Sequence, residues 1–125
     1  DNMLKKFGFK FVVIAVIALS LVTDSFAAQT RIRFASGATS KTLSGTLAGG
    51  GSRSFVIRLA INQEFSVNVS SGNDQISIKV KDVHGPFDEE YGNFETTTDA
   101  NGDHYITIRN RGRRSTNYTM TVSAY

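Results

Sequence analysis

The chain has 125 residues, a formal net charge of +3, a single proline and no cysteine. The missing thiols exclude disulfide staples, thiolate metal sites, cysteine catalysis and a lipid-modified amino terminus. So small an excess of positive charge gives no argument for nucleic acid, and the length allows one core held by burial and hydrogen bonding.

Met3 is read as the natural start, with Asp1 and Asn2 a reading-frame remnant. Lys5, Lys6 and Lys10 form a positive segment, residues 11–22 are an apolar run broken only by Ser20, and Ser25 and Ala27 supply small residues at the −3 and −1 positions of a cleavage site. This is the layout of a secretory signal, residues 3–27, removed before Ala28. A membrane-spanning helix needs about 20 apolar residues, whereas this run is followed almost at once by Asp24. A buried core helix would show a polar face, and none exists. The expectation is a periplasmic or secreted protein with no membrane attachment after cleavage, comprising one domain, residues 28–125.

Thr, Ser, Val, Ile, Phe and Tyr dominate that domain, and Gly and Asn punctuate it, a balance that favours strands. Ile32 and Phe34 alternate with Arg31 and Arg33. A short strand over 42–47 ends at Gly49-Gly50-Gly51-Ser52. Phe55, Ile57 and Leu59 then occupy one face of a strand, with Val56 and Arg58 on the other. Asn62 suits a tight turn because it tolerates the left-handed conformation. Phe65, Val67 and Val69 alternate with polar residues, as do Ile76, Ile78 and Val80. Residues 87–98 are irregular and acidic, with Phe94 in an edge-like segment. Ile106 and Ile108, then Tyr118, Met120, Val122 and Ala124, mark the last two strands, joined by a hairpin connection over 110–116. Seven to eight short strands without helical periodicity predict an all-β antiparallel sandwich, jelly-roll-like.

Fourteen Lys/Arg less the three of the signal leave eleven, against nine Asp/Glu once Asp1 and Asp24 are set aside. Their distribution says more than their sum. An acidic stretch from Asp88 to Asp103 is followed at once by Arg109, Arg111, Arg113 and Arg114. These four are the candidate binding residues, because arginine captures carboxylates bidentately and loops on β scaffolds carry recognition. Solubility, or pairing with the acidic stretch, is the plainer alternative. Asp99, Asn101 and Asp103 alternate as calcium ligands do, but His104 and Asn110 stand where such a loop needs glycine and glutamate, so a polar turn is the simpler reading. No serine lies in a nucleophile elbow, and His84 and His104 are expected in turns or at the surface. No cofactor and no catalytic role are expected.

The segments Leu43-Ser44-Gly45-Thr46-Leu47, Ser54-Phe55-Val56-Ile57-Arg58 and Asn62-Gln63-Glu64-Phe65-Ser66-Val67 resemble the bacterial pre-peptidase C-terminal (PPC) domain family. The close, residues 102–108 and 117–122, is similar to that family's final two strands. Asn62 replaces the usual glycine, and Phe94 stands nearest the family's tryptophan. A stand-alone exported form also looks like the periplasmic inhibitors of g-type lysozyme, which share the layout. The resemblance implies a non-catalytic binding or accessory domain with a protein or cell-envelope glycan partner, or alternatively an inhibitor of g-type lysozyme. Some family members bind calcium, which keeps Asp99, Asn101 and Asp103 as candidates.

Overall fold

A computed structural model describes residues 29–125. The expected signal and its cleavage site lie outside the described residues. Ten strands are present among the described residues: β1 (Thr30–Ile32), β2 (Ser40–Leu47), β3 (Ser52–Leu59), β4 (Glu64–Ser71), β5 (Ile76–Asp82), β6 (Gly85–Pro86), β7 (Glu90–Tyr91), β8 (Asn93–Thr97), β9 (Gly102–Asn110) and β10 (Thr116–Ala124). β1, β6 and β7 have only two or three residues, which reconciles ten with the predicted seven to eight.

The strands form two sheets packed as a sandwich. One has the order β1-β3-β9-β5-β6, with β7 also pairing with β5, and the other β2-β10-β4-β8. Every pairing is antiparallel except that of β1 with β3. Each long strand buries alternate side chains, so the two apolar faces meet. Phe55, Ile57, Ile78, Val80, Ile106 and Ile108 come from one sheet; Phe65, Val67, Tyr118, Met120 and Val122 come from the other. Full burial of one such side chain stabilises by about 1.5–3 kcal/mol, so this interior replaces the missing disulfides.

Local chemistry sets the turns. Asn62 and Asp74 adopt φ of 66° and 54°, the left-handed region that short polar side chains tolerate. Phe94, on edge strand β8, closes one side of the core edge-to-face against Phe65 and Phe87, at centroid distances of 6.1 and 5.3 Å.

Two expectations are corrected. Residues 110–116 are not a hairpin connection. β9 is flanked on both sides by β3 and β5, and β10 by β2 and β4, so the two cannot pair and the chain crosses from sheet to sheet. The same crossing occurs at β2–β3, β3–β4, β4–β5 and β8–β9. Val56, placed on the solvent face by alternation, does point outward but is buried, flanked in register by Arg31 and Tyr105.

Candidate functional site

The crossings gather three loops at one end of the sandwich: the β2–β3 turn, the β4–β5 turn and the β9–β10 crossing. A single side chain ties them together. Asn110, the last residue of β9, points inward and is fully buried. Its Nδ2 donates to the Leu47 carbonyl (3.2 Å) and the Arg114 carbonyl (2.7 Å). Its Oδ1 accepts from the Gly112 amide (2.9 Å) and from Asn73 Nδ2 (3.1 Å). All the donor and acceptor capacity of the amide is used.

The backbone reinforces the arrangement. The Gly50 amide donates to the Asn110 carbonyl, the Asn110 amide to Gly51, and the Arg111 amide to Gln75, all within 2.9 Å. Asn73 in turn accepts from the Gln75 amide at 3.0 Å and from the Ser71 hydroxyl at 3.1 Å. Glycine is required where these loops meet. A Cβ at Gly49 would collide with the Arg113 carbonyl, and one at Gly112 would lie 2.7 Å from Asn73 Nδ2. The result is a loop end whose three segments are hydrogen-bonded to one another through Asn110 and the backbone around it.

The structure separates the four candidate arginines. Arg113 and Arg114 are exposed on the crossing and, with Arg111, Gly112, Asn73 and Gln75, line a shallow depression of about 440 Å³. Arg111 turns toward the acidic stretch, its Nη2 2.6 Å from Glu89 Oε2. The neighbouring Ser77 hydroxyl and then Arg111 hold the Glu89 carboxyl below its ordinary value, and Glu89 raises the Arg111 guanidinium. Arg109 is not in the loop. It lies on β9, opposite Ser52 and Ser77 on the outer face of the larger sheet.

The calcium candidates do not converge. Asp103 accepts a bidentate pair from Arg31 at 3.1 and 3.2 Å, which holds its carboxyl below the ordinary value. Asn101 Oδ1 accepts from the Ile61 amide at 2.8 Å, and Asp99 is exposed. Among the described residues no three His, Asp or Glu side chains gather as metal ligands.

His84 is exposed, as expected. His104 is not in a turn or at the surface. It is 1% exposed, on the inward face of β9, packed edge-on against Phe65. Its Nδ1 meets the Gly102 carbonyl at 3.1 Å, and its Nε2, without a hydrogen bond, lies 4.0 Å from the buried Asp82 carboxylate. Asp82 also accepts from the His84 amide at 2.8 Å. The reason is register: the alternation that buries Ile106 and Ile108 buries residue 104 too.

Sequence reasoning missed Asn110 as the brace and Asn73 as its partner. The signal was an asparagine in the same alternation as Ile106 and Ile108, two residues beyond the last of them.

No family model matches the chain, and neither does any curated protein sequence. Solved structures do. The Aeromonas hydrophila protein PliG, described as a periplasmic inhibitor of g-type lysozyme, superposes with a TM-score of 0.66 at 19% identity, covering 78% of this chain and 96% of that one. Salmonella Typhimurium PliG, described in the same terms, gives 0.61 at 17% identity over 78% and 97%. The pre-peptidase C-terminal domain of a Bacillus anthracis collagenase gives 0.55 at 15% identity over 78% and 94%. The chain therefore has the fold anticipated from its strand order, that of PPC domains and PliG inhibitors.

Proposed function

We propose that this is an exported, non-catalytic binding protein whose loop end, through Arg113 and Arg114 with Arg111 held beside them by Glu89, receives carboxylates of a protein or cell-envelope glycan partner. The observation that carries this reading is the Asn110 brace. Four hydrogen bonds from one buried amide hold three loops in a fixed shape, and exposed arginines project from it. Pre-organisation lowers the entropy lost on binding, which is why such a loop serves recognition better than a mobile one.

The fold of two proteins described as periplasmic inhibitors of g-type lysozyme favours a sharper second reading, inhibition of that enzyme. A lysis assay with bacterial cell walls and g-type lysozyme tests it. The expected result is inhibition by the wild type that weakens in Arg113→Ser/Arg114→Ser. That pair leaves the Arg111–Glu89 bridge in place, so folding is undisturbed. Absence of inhibition at large molar excess removes the inhibitor reading. Inhibition unchanged in the double variant keeps the inhibitor and discards the loop.

A further inference from the structure

The two outer faces of the sandwich differ in chemistry. On the smaller sheet the outward positions of β2 and β10, Ser40, Thr42, Ser44, Thr46, Asn117, Thr119, Thr121 and Ser123, are uncharged, and those of β4 and β8 add the acids Glu64 and Glu95 and no cation. Cross-strand contacts already engage several of them, such as Thr46 with Asn117 at 2.8 Å.

The outer face of the larger sheet is cationic and aromatic. In its first cross-strand row Arg109 on β9 lies beside Ser77 on β5, which in turn pairs with Tyr91 on β7. The next row holds Lys79 beside Thr107 and Ser54, and the third holds Lys81 beside Tyr105. The Lys81 ammonium lies 5.4 Å from the Tyr105 ring centroid, and Tyr91 is 57% exposed. Each row therefore contributes one unpaired cation, and the third also holds Arg31, paired with Asp103. The nearby acids are already occupied: Glu89 by Arg111 and Asp103 by Arg31. Among the described residues Arg109, Lys79 and Lys81 make no ion pair.

We infer that this face is a binding surface for an anionic polysaccharide. Cations in successive rows, about 6.7 Å apart by the two-residue rise of a strand, match an extended polyanion better than a point ligand. Tyr91 and Tyr105 stand two rows and two strands apart, roughly 16 Å, and offer flat apolar rings at both ends of the track, suited to the C–H faces of sugars. The hydroxyls of Ser54 and Thr107, 3.2 Å apart, supply hydrogen-bonding groups between them. An anionic membrane would use the charge but gain little from two rings presented on a flat face. The surface adjoins the loop end where the Arg111–Glu89 bridge reaches the buried Ser77 in its first row, but it uses neither Arg113 nor Arg114, so the two readings can be tested separately.

The test is titration of the purified protein with polygalacturonate, with neutral dextran and phosphatidylglycerol vesicles as comparison arms. Binding to polygalacturonate should weaken as salt rises from about 0.05 to 0.3 M, since exposed charges are screened. Lys79→Ser/Lys81→Ser should weaken it by about tenfold or more, and Tyr91→Ala by about threefold or more. All three substituted residues are exposed, so the melting temperature should hold. Arg113→Ser/Arg114→Ser should leave this binding within about twofold while weakening the loop-end function, which distinguishes the two sites. The inference is overturned by no binding, by equal binding to dextran, by indifference to the lysine or Tyr91 changes, or by vesicles being bound in place of the polymer.

Discussion

Asn110 shows how one residue sets the character of this molecule's loop end. Truncation to alanine would leave the Gly112 amide, two carbonyls and the Asn73 amide without their partner. Orphaned buried groups cost about 1–3 kcal/mol each when water cannot reach them, so Asn110→Ala should destabilise by about 2–4 kcal/mol in urea. Amide exchange at Gly112 should also accelerate, because that loop loses its anchor. Neither result would follow if residue 110 were a solvated hairpin residue. Sequence alone did not identify the brace because asparagine at a strand end reads equally as a turn former. Burial and the arrival of two other loops decide its role. The same holds for His104, whose polar nature suggested the surface while its place in the alternation put it inside.

Two ion pairs give a pH dependence at this scale. The Arg31 hydrogen bonds depress Asp103, and Ser77 and Arg111 depress Glu89, from ordinary values of 3.8 and 4.5. A carboxyl with a lowered folded-state pKa contributes stability that is present above the unfolded value and lost as pH falls through the folded one. The melting temperature should therefore begin to fall as pH enters the ordinary carboxylate range, where the unfolded chain takes up protons, and go on falling until the lowered folded-state values are passed. Both groups are exposed, so the loss should be small and diminished by high salt. Arg31→Gln should flatten the part of the acid limb that belongs to Asp103 by lowering the neutral plateau by that same small amount, while the two proteins converge at the acid end. An identical acid limb in wild type and variant would show that the pair contributes nothing.

At the scale of elements, β5 is where sequence and structure agree most closely. Ile76, Ile78 and Val80 are buried and Lys79 and Lys81 exposed, as alternation requires; Ser77, on the outer face, departs from it and is buried. β5 also runs between β9 on one side and β6 and β7 on the other, so Ile78 has packed neighbours all round. Ile78→Ala should cost about 2–4 kcal/mol, and Lys79→Ala less than about 0.5; equal losses in chemical denaturation would reverse the assignment of faces. β4 and β10 were legible for the same reason: a period of two survives whatever the strand pairs with. Sheet membership was not. The glycine turn at 49–51 and the link at 110–116 look alike in sequence whether the next strand pairs locally or crosses the sandwich. Only competition among all strands for both edges of β9 and β10 settles it. The arginine group illustrates the consequence for the candidate site. Its four members are adjacent in sequence, but crossing sends Arg113 and Arg114 to the loop end, Arg111 to Glu89 and Arg109 to a different face.

At the scale of the whole molecule, the three-residue strand β1 closes one edge of the larger sheet and constrains how the expected signal is removed. Among the described residues β1 makes the only parallel pairing, it covers Phe55, Val56 and Ile57 of β3 in register, and its Ile32 is 3% exposed. Without it β3 becomes an open edge of eight residues, a template for pairing between copies. Cleavage after Ala27 leaves Ala28 and Gln29 ahead of Thr30, so β1 stays whole; cleavage only a few residues later would cut it. Intact mass of the protein exported by a Gram-negative host should therefore begin at Ala28 or Gln29. A chain begun instead at Arg33 loses the burial of Ile32, worth about 1.5–3 kcal/mol, and the hydrogen bonds of the β1–β3 ladder. Its melting temperature should fall, and it should associate with rising concentration in analytical ultracentrifugation while the chain begun at Ala28 remains monodisperse. Equal stability and equal monodispersity of the two would mean that β1 is dispensable, and that the position of the cleavage site owes nothing to the fold.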